Sequence, residues 1–152
     1  MRLKILLILF ALLIFASSCT NIQAPTSQFK KYEISRIGFS SASLIFYFDV
    51  ENPNSIPIGI KDIDYKLALD ESDVASGISE GFDLQAKEKK MVKFPIEISY
   101  SDLFGQAINV AKKFISRTGS IKYKIDGSLS IVDNIGISAK VPLEAQGEIE
   151  LF

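Results

Sequence analysis

The chain has 152 residues, 17 basic against 18 acidic, 47% hydrophobic, with no His, no Trp and a single Cys. That suits one ordinary globular domain, and the near-neutral balance excludes the strongly basic type of nucleic-acid binder. Imidazole acid–base catalysis, Ser-His-Asp and Cys-His systems and His-ligated zinc are unavailable, and one thiol closes no internal disulfide. Most enzyme classes are therefore hard to build here; a protein that is not an enzyme, with no cofactor or metal, is expected, against a poorly supported enzyme that uses only carboxylates.

Arg2 and Lys4 open the chain, Ile5 to Phe15 is an unbroken apolar run, and small residues Ala16, Ser17 and Ser18 follow. This is the order of a secretory signal. A run of that length rises only about 16 Å as a helix, short of the roughly 30 Å of a hydrocarbon core. A signal peptide over residues 1–18, cut after Ser18, is predicted; an uncleaved N-terminal anchor is the alternative. Ala16-Ser17-Ser18-Cys19 resembles a bacterial lipobox, departing from it at Ala16, where Leu is commoner. The resemblance implies lipidation of Cys19 with diacylglycerol and an N-linked acyl chain such as palmitate. It also implies a lipoprotein of the cell envelope, in the outer rather than the inner membrane because Thr20 and not Asp follows the cysteine. The bland rival is an idle cysteine beside an ordinary cleavage site. At about 0.8 kcal/mol per buried methylene, two or three acyl chains moor a protein to membrane lipid stably. Thr20 to Gln28 is polar, so residues 19–31 are predicted to be a lipidated N-terminus and flexible tether.

From Tyr32 onward the period is two. Leu44, Phe46, Phe48 and Val50 alternate with Ser43, Ile45, Tyr47 and Asp49; Val92, Phe94, Ile96, Ile98 and Tyr100 alternate with Lys93, Pro95, Glu97 and Ser99. Ile121, Tyr123, Ile125, Leu129 and Ile131 continue the pattern, as do Ile137 to Leu143, with a last strand at Ile149 and Leu151. Each run makes one buried and one wet face. Turn chemistry separates them at Asn52-Pro53-Asn54, Asp70 to Asp73, and Asp133-Asn134 with Gly136. Short strands joined by turns predict two antiparallel sheets packed face to face. Leu103, Phe104, Ala107, Ile108, Ala111, Phe114 and Ile115 instead recur at three- and four-residue steps. They predict one α-helix over 102–117, N-capped by Ser101 or Asp102 and stopped near Gly119. Its apolar stripe is read as covering an end of the core; the alternative is a membrane-surface helix.

The ordered set Asn52-Pro53-Asn54, Ile56 to Ile60, Ile63 to Leu67 and Val74 to Gly77, then the strand Met91–Tyr100 running into Ser101-Asp102-Leu103, resembles the WHy domain of type 2 late embryogenesis abundant (LEA) proteins. The resemblance covers about Tyr32 to Leu151. It implies a mainly β fold, a fibronectin-III- or immunoglobulin-like sandwich of about seven strands with one helix, over residues 32–152. It further implies a role in desiccation, cold or other stress tolerance, no established catalysis, and occurrence as bacterial lipoproteins.

Candidate sites carry rival readings. Asn52, Pro53 and Asn54 read as a strand-ending structural turn, the asparagines bonding local backbone, against a ligand-reading turn. Asp70, Glu71 and Asp73 read as a solvated hairpin tip against a calcium site. Lys87, Lys89 and Lys90 read as a hydrated loop against a headgroup contact. The aromatic residues read as core, except that Tyr47, off phase and beside Ile45, predicts an outward apolar patch suited to a partner. The leading expectation is an anchored, non-enzymatic protective or binding module with envelope proteins as clients and no nucleic acid. The alternative is an assembly or adhesion module that pairs through an exposed strand edge.

Overall fold

The computed structural model describes residues 23–103, 107–132 and 138–151. Cys19, Ser18 and the residues before them lie outside these, as does the predicted turn at Asp133, Asn134 and Gly136. In chain order the strands are β1 (Thr26–Ile37), β2 (Ser41–Glu51), β3 (Ile58–Leu69), β4 (Ser72–Leu84), β5 (Lys89–Ser99), β6 (Ser120–Val132) and β7 (Ser138–Glu150). A 3-10 turn (Tyr100–Leu103) and helix α1 (Ile108–Ser116) lie between β5 and β6. The sheets are antiparallel, in the orders β1-β2-β5 and β4-β3-β6-β7. This three-plus-four arrangement is the predicted sandwich.

The period-two runs produce the core as read. Leu44, Phe46, Phe48 and Val50 of β2 and Phe94, Ile96 and Ile98 of β5 are buried against Ile63, Leu67, Ile121, Ile125 and Leu129 of the facing sheet. Aromatic rings form a seam through it, Phe94 to Phe48 to Phe29, then Tyr123 with Tyr32 and Phe46, at centroid separations of 5.4–6.1 Å. Edge-to-face pairs of this kind contribute about 0.5–1.5 kcal/mol beyond area burial.

Three boundaries differ from expectation. β1 begins at Thr26, inside the predicted tether, and Pro25 is already buried. Register shifts between Phe29 and Lys31 and between Ile34 and Arg36 break its alternation, which hid the strand. Second, residues 138–150 form one continuous strand rather than two. Third, α1 starts at Ile108 with Ala107 at its N-cap and no side-chain cap; the segment around Ser101 and Asp102 is the 3-10 turn. The helix ends on Arg117, which takes the left-handed conformation (φ 54°) two residues before Gly119, so that its own N–H and that of Thr118 bond the carbonyls of Phe114 and Lys113.

Helix α1 closes one end of the sandwich. Val110, Ala111 and Phe114 are buried, and Phe114 stacks on Tyr100. Leu103, Ala107, Ala111 and Phe114 of the predicted stripe are buried in the core, while Ile115 is 51% exposed and Phe104 lies outside the described residues. Beside it stands the β3–β4 turn, where Asp70 and Glu71 both have positive φ (45° and 67°). This two-residue geometry matches the right-handed twist of the strands.

Candidate functional site

The end opposite the helix is organised by the asparagine turn. Asn52, fully buried at the end of β2, uses its whole side-chain capacity. Its Nδ2 donates to the carbonyls of Ile56 (2.8 Å) and Gln85 (2.9 Å), and its Oδ1 accepts from the backbone N–H and the Nδ2 of Asn54 (2.9 Å each). Asn54 in turn grips Gln23: its Nδ2 donates to the Gln23 carbonyl and its Oδ1 accepts the Gln23 N–H, both at 2.8 Å. The Lys87 ammonium donates to the Pro53 carbonyl. The asparagine side chains thus bond backbone well beyond their own turn. The two amides fasten the β2–β3 loop to the β4–β5 loop and to the incoming chain, across sequence separations of 31–33 residues. With both amides engaged inside the protein, the turn is a clamp.

The outer face of β1-β2-β5 carries the predicted Ile45 and Tyr47 pair, and here the expectation of an open apolar patch fails. Tyr47 points outward but is only 7% exposed. It lies in one cross-strand row with Lys31 and Lys93, whose ammonium groups sit 4.7 and 5.6 Å from its ring centroid. Its hydroxyl donates to Glu33 at 2.8 Å. That hydrogen bond, then burial and the Glu33 charge, raises the phenol above its usual pKa. Ile45, in the next row between Glu33 and Pro95, is half-buried. Long lysine stems covering an aromatic face leave charge rather than apolar surface to the solvent. On the same face Asp49 accepts from Lys30 (3.1 Å) and Lys89 (3.3 Å). Desolvation pushes its carboxyl up, but the hydrogen bonds and charges of the two lysines together outweigh this and leave it below its usual value.

The outer face of β4-β3-β6-β7 is a shallow concavity of about 740 Å³ lined by Ala68, Asp73, Lys122, Lys124, Asp126 and Glu148 among others. Its charges are interleaved as ion pairs, Lys66 with Asp73, Lys124 with Asp126 and Lys140 with Asp64. The hydrogen bond to Asp126 raises the Lys124 ammonium pKa. The acidic tip departs from the solvated reading at Asp70. Its carboxylate accepts from Lys113 of α1 (2.7 Å) and from the Lys122 N–H (3.0 Å), tying helix, hairpin and β6 together. Sequence periodicity carries no signal for this bond, because the partners are 43 and 52 residues away.

Among the described residues, what the geometry offers is an ion-paired surface on a sandwich fastened at one end by the amide clamp. The sequence profile of the late embryogenesis abundant protein family, type 2, matches residues 47–147. The chain belongs to that family. As a LEA type 2 domain it is 29% identical over 137 residues to the Desiccation protectant protein Lea14 homolog of Glycine max, covering 90% of this chain and 87% of that protein. A solution structure from Arabidopsis thaliana shares the fold at TM-score 0.65 and 21% identity, covering 89% of each chain. A second solution structure, described as that of a LEA protein, does so at TM-score 0.66 and 22% identity, covering 91% of this chain and 77% of the other. The family suggests a protective role under stress or desiccation.

Proposed function

We propose that this LEA type 2 domain is a non-enzymatic stress protectant moored to a bacterial envelope membrane through an acylated Cys19. The observation that carries the protective part is the likeness to a desiccation protectant over nine-tenths of the chain. The geometry agrees with it. Paired charges are spread over both outer faces, where Met91 and Ile78 are the exposed large apolar side chains among the described residues, while the buried clamp and the helix hold the ends of the sandwich shut. Such a body shields neighbouring envelope proteins as a spacer or through weak polar contacts.

Anchoring rests on the lipobox-like Ala16-Ser17-Ser18-Cys19 after an apolar run, with the chain's sole thiol directly after the small residues. The experiment pairs mass spectrometry of the native N-terminus with survival of cells through drying and freezing, comparing wild type, Cys19→Ala and an inert lipoprotein of equal size. Acylated Cys19 and better survival than the inert control are expected. Survival equal to the control ends the protective reading, and an unmodified Cys19 ends the anchoring.

The rival, an assembly module, is favoured by one observation: Ile78 on edge strand β4 is 72% exposed. Cross-linking in intact cells separates the two, since a single stoichiometric partner at β4 supports assembly and diffuse contacts support shielding.

A further inference from the structure

If the anchor is at Cys19, the clamp decides how the domain sits on its membrane. Gln23 is fastened at both its N–H and its carbonyl to Asn54, and only residues 20, 21 and 22 separate it from Cys19. Even fully extended, that link spans about 14 Å. The long polar tether read from the sequence is therefore mostly structure, and the leash that remains is shorter than the domain. β1 leads away from the clamp for 12 residues, roughly 40 Å at strand rise, so the α1 end and the turn bearing Phe39 are carried far from the anchor. Among the described residues the near end carries the β2–β3 loop, with Ser55, Ile56 and Pro57 all exposed, and the β4–β5 loop, with Lys87 exposed; the β6–β7 connection, whose flanking residues Val132 and Ser138 pair at this end, lies outside the described residues. Ile56 is 40% exposed although Asn52 and Asn54 beside it are buried. Lys89 and Lys90 follow, the former paired with Asp49 and the latter over the Phe82 ring, while Glu88 accepts the Gln85 N–H.

We propose that the clamp end lies against the headgroup layer of the bilayer that holds Cys19, with Ile56 and Pro57 as its contact and Lys87 at its rim, so that the sandwich stands end-on and presents the helix end to the surroundings. The proposal rests on the anchoring reading above. An end-on domain leaves both outer sheet faces and the distal end free for neighbours, which a loosely tethered one would not do in any fixed orientation.

The protein contains no Trp, so Ile56→Trp, Phe39→Trp and Ile78→Trp each introduce one indole as a reporter. Each full-length acylated variant is reconstituted into phosphatidylcholine–phosphatidylglycerol vesicles, and iodide quenching is compared with its Cys19→Ala counterpart in buffer. For Ile56→Trp, blue-shifted emission and a fall in quenching of at least about threefold are expected, because an indole at headgroup level is shielded from the aqueous ion. Phe39→Trp and Ile78→Trp should show no change. Adding Asn54→Ala, which releases Gln23, should restore quenching of the Ile56→Trp indole while the protein stays on the vesicles. Equal quenching at positions 56 and 39 in protein whose Cys19 mass is acylated overturns the orientation and leaves the anchor standing. Shielding of position 56 in the Cys19→Ala form overturns it in favour of a protein partner or a second copy. Shielding that survives Asn54→Ala refutes the clamp as its cause, and an unmodified Cys19 ends both readings together.

Discussion

At the scale of single residues, the structure depends most on groups that periodicity treats as turn punctuation. Asn52 satisfies two carbonyls and braces Asn54 from a position with no solvent exposure. Asn52→Ala leaves those carbonyls without their donor, and a loss of about 2–3 kcal/mol is expected in urea unfolding. Tyr47 makes a second case. Its phenol is held protonated by the Glu33 carboxylate, so the contribution of the pair is complete below the unfolded phenol value of about 10 and disappears as pH rises through the higher folded value. Tyr100 and Tyr123, raised chiefly by burial, act with the same sign. Wild-type stability should therefore decline above about pH 10, and the urea midpoint of Tyr47→Phe, lower at neutral pH, should decline less steeply. Parallel curves would show that Tyr47 and Glu33 are not coupled.

Among the elements, the β3–β4 turn and α1 form one unit. Two non-glycine residues in left-handed geometry cost about 1 kcal/mol or more each, and the Asp70 carboxylate compensates by holding both Lys113 and the Lys122 N–H. Asp70→Ala should lose about 2 kcal/mol, and it should couple to Lys113→Ala in a double-mutant cycle. Glu71→Gly should instead gain about 0.5–1 kcal/mol by relieving the backbone, read as a rise in the unfolding midpoint. β4 approaches β3 closely at Gly81, beside the register shift between Ile60 and Asp62 in the pairing of β3 with β6. A Cβ on Gly81 would fall 1.7 Å from the Ile60 carbonyl oxygen, so this position has no room for a side chain. β1 shows the converse: its interrupted alternation is a feature of the strand itself, and only pairing with β2 reveals it.

For the molecule as a whole, the two ends differ in kind. One is closed by the apolar face of a helix and the other by an amide clamp that also receives the incoming chain. Among the described residues burial begins at Pro25, and Phe29 is the first side chain packed against the core. Purified Cys19→Ala protein should accordingly show the same urea midpoint as the wild type while losing membrane association. A lowered midpoint would mean that the N-terminal segment packs on the domain.

The sheets, their buried faces, the helix and the family were legible in the sequence, because alternation and turn residues act between near neighbours and leave a regular trace. Leu44, Phe46, Phe48 and Val50, and Phe94, Ile96 and Ile98, are buried in the phase that their spacing dictates. The covering of Tyr47 by Lys31 and Lys93, the inward Asp70 and the grip of Asn54 on Gln23 were decided only in three dimensions. Each joins groups on different strands or loops, and the register and twist that bring them together belong to the assembled sandwich and to no local stretch of chain.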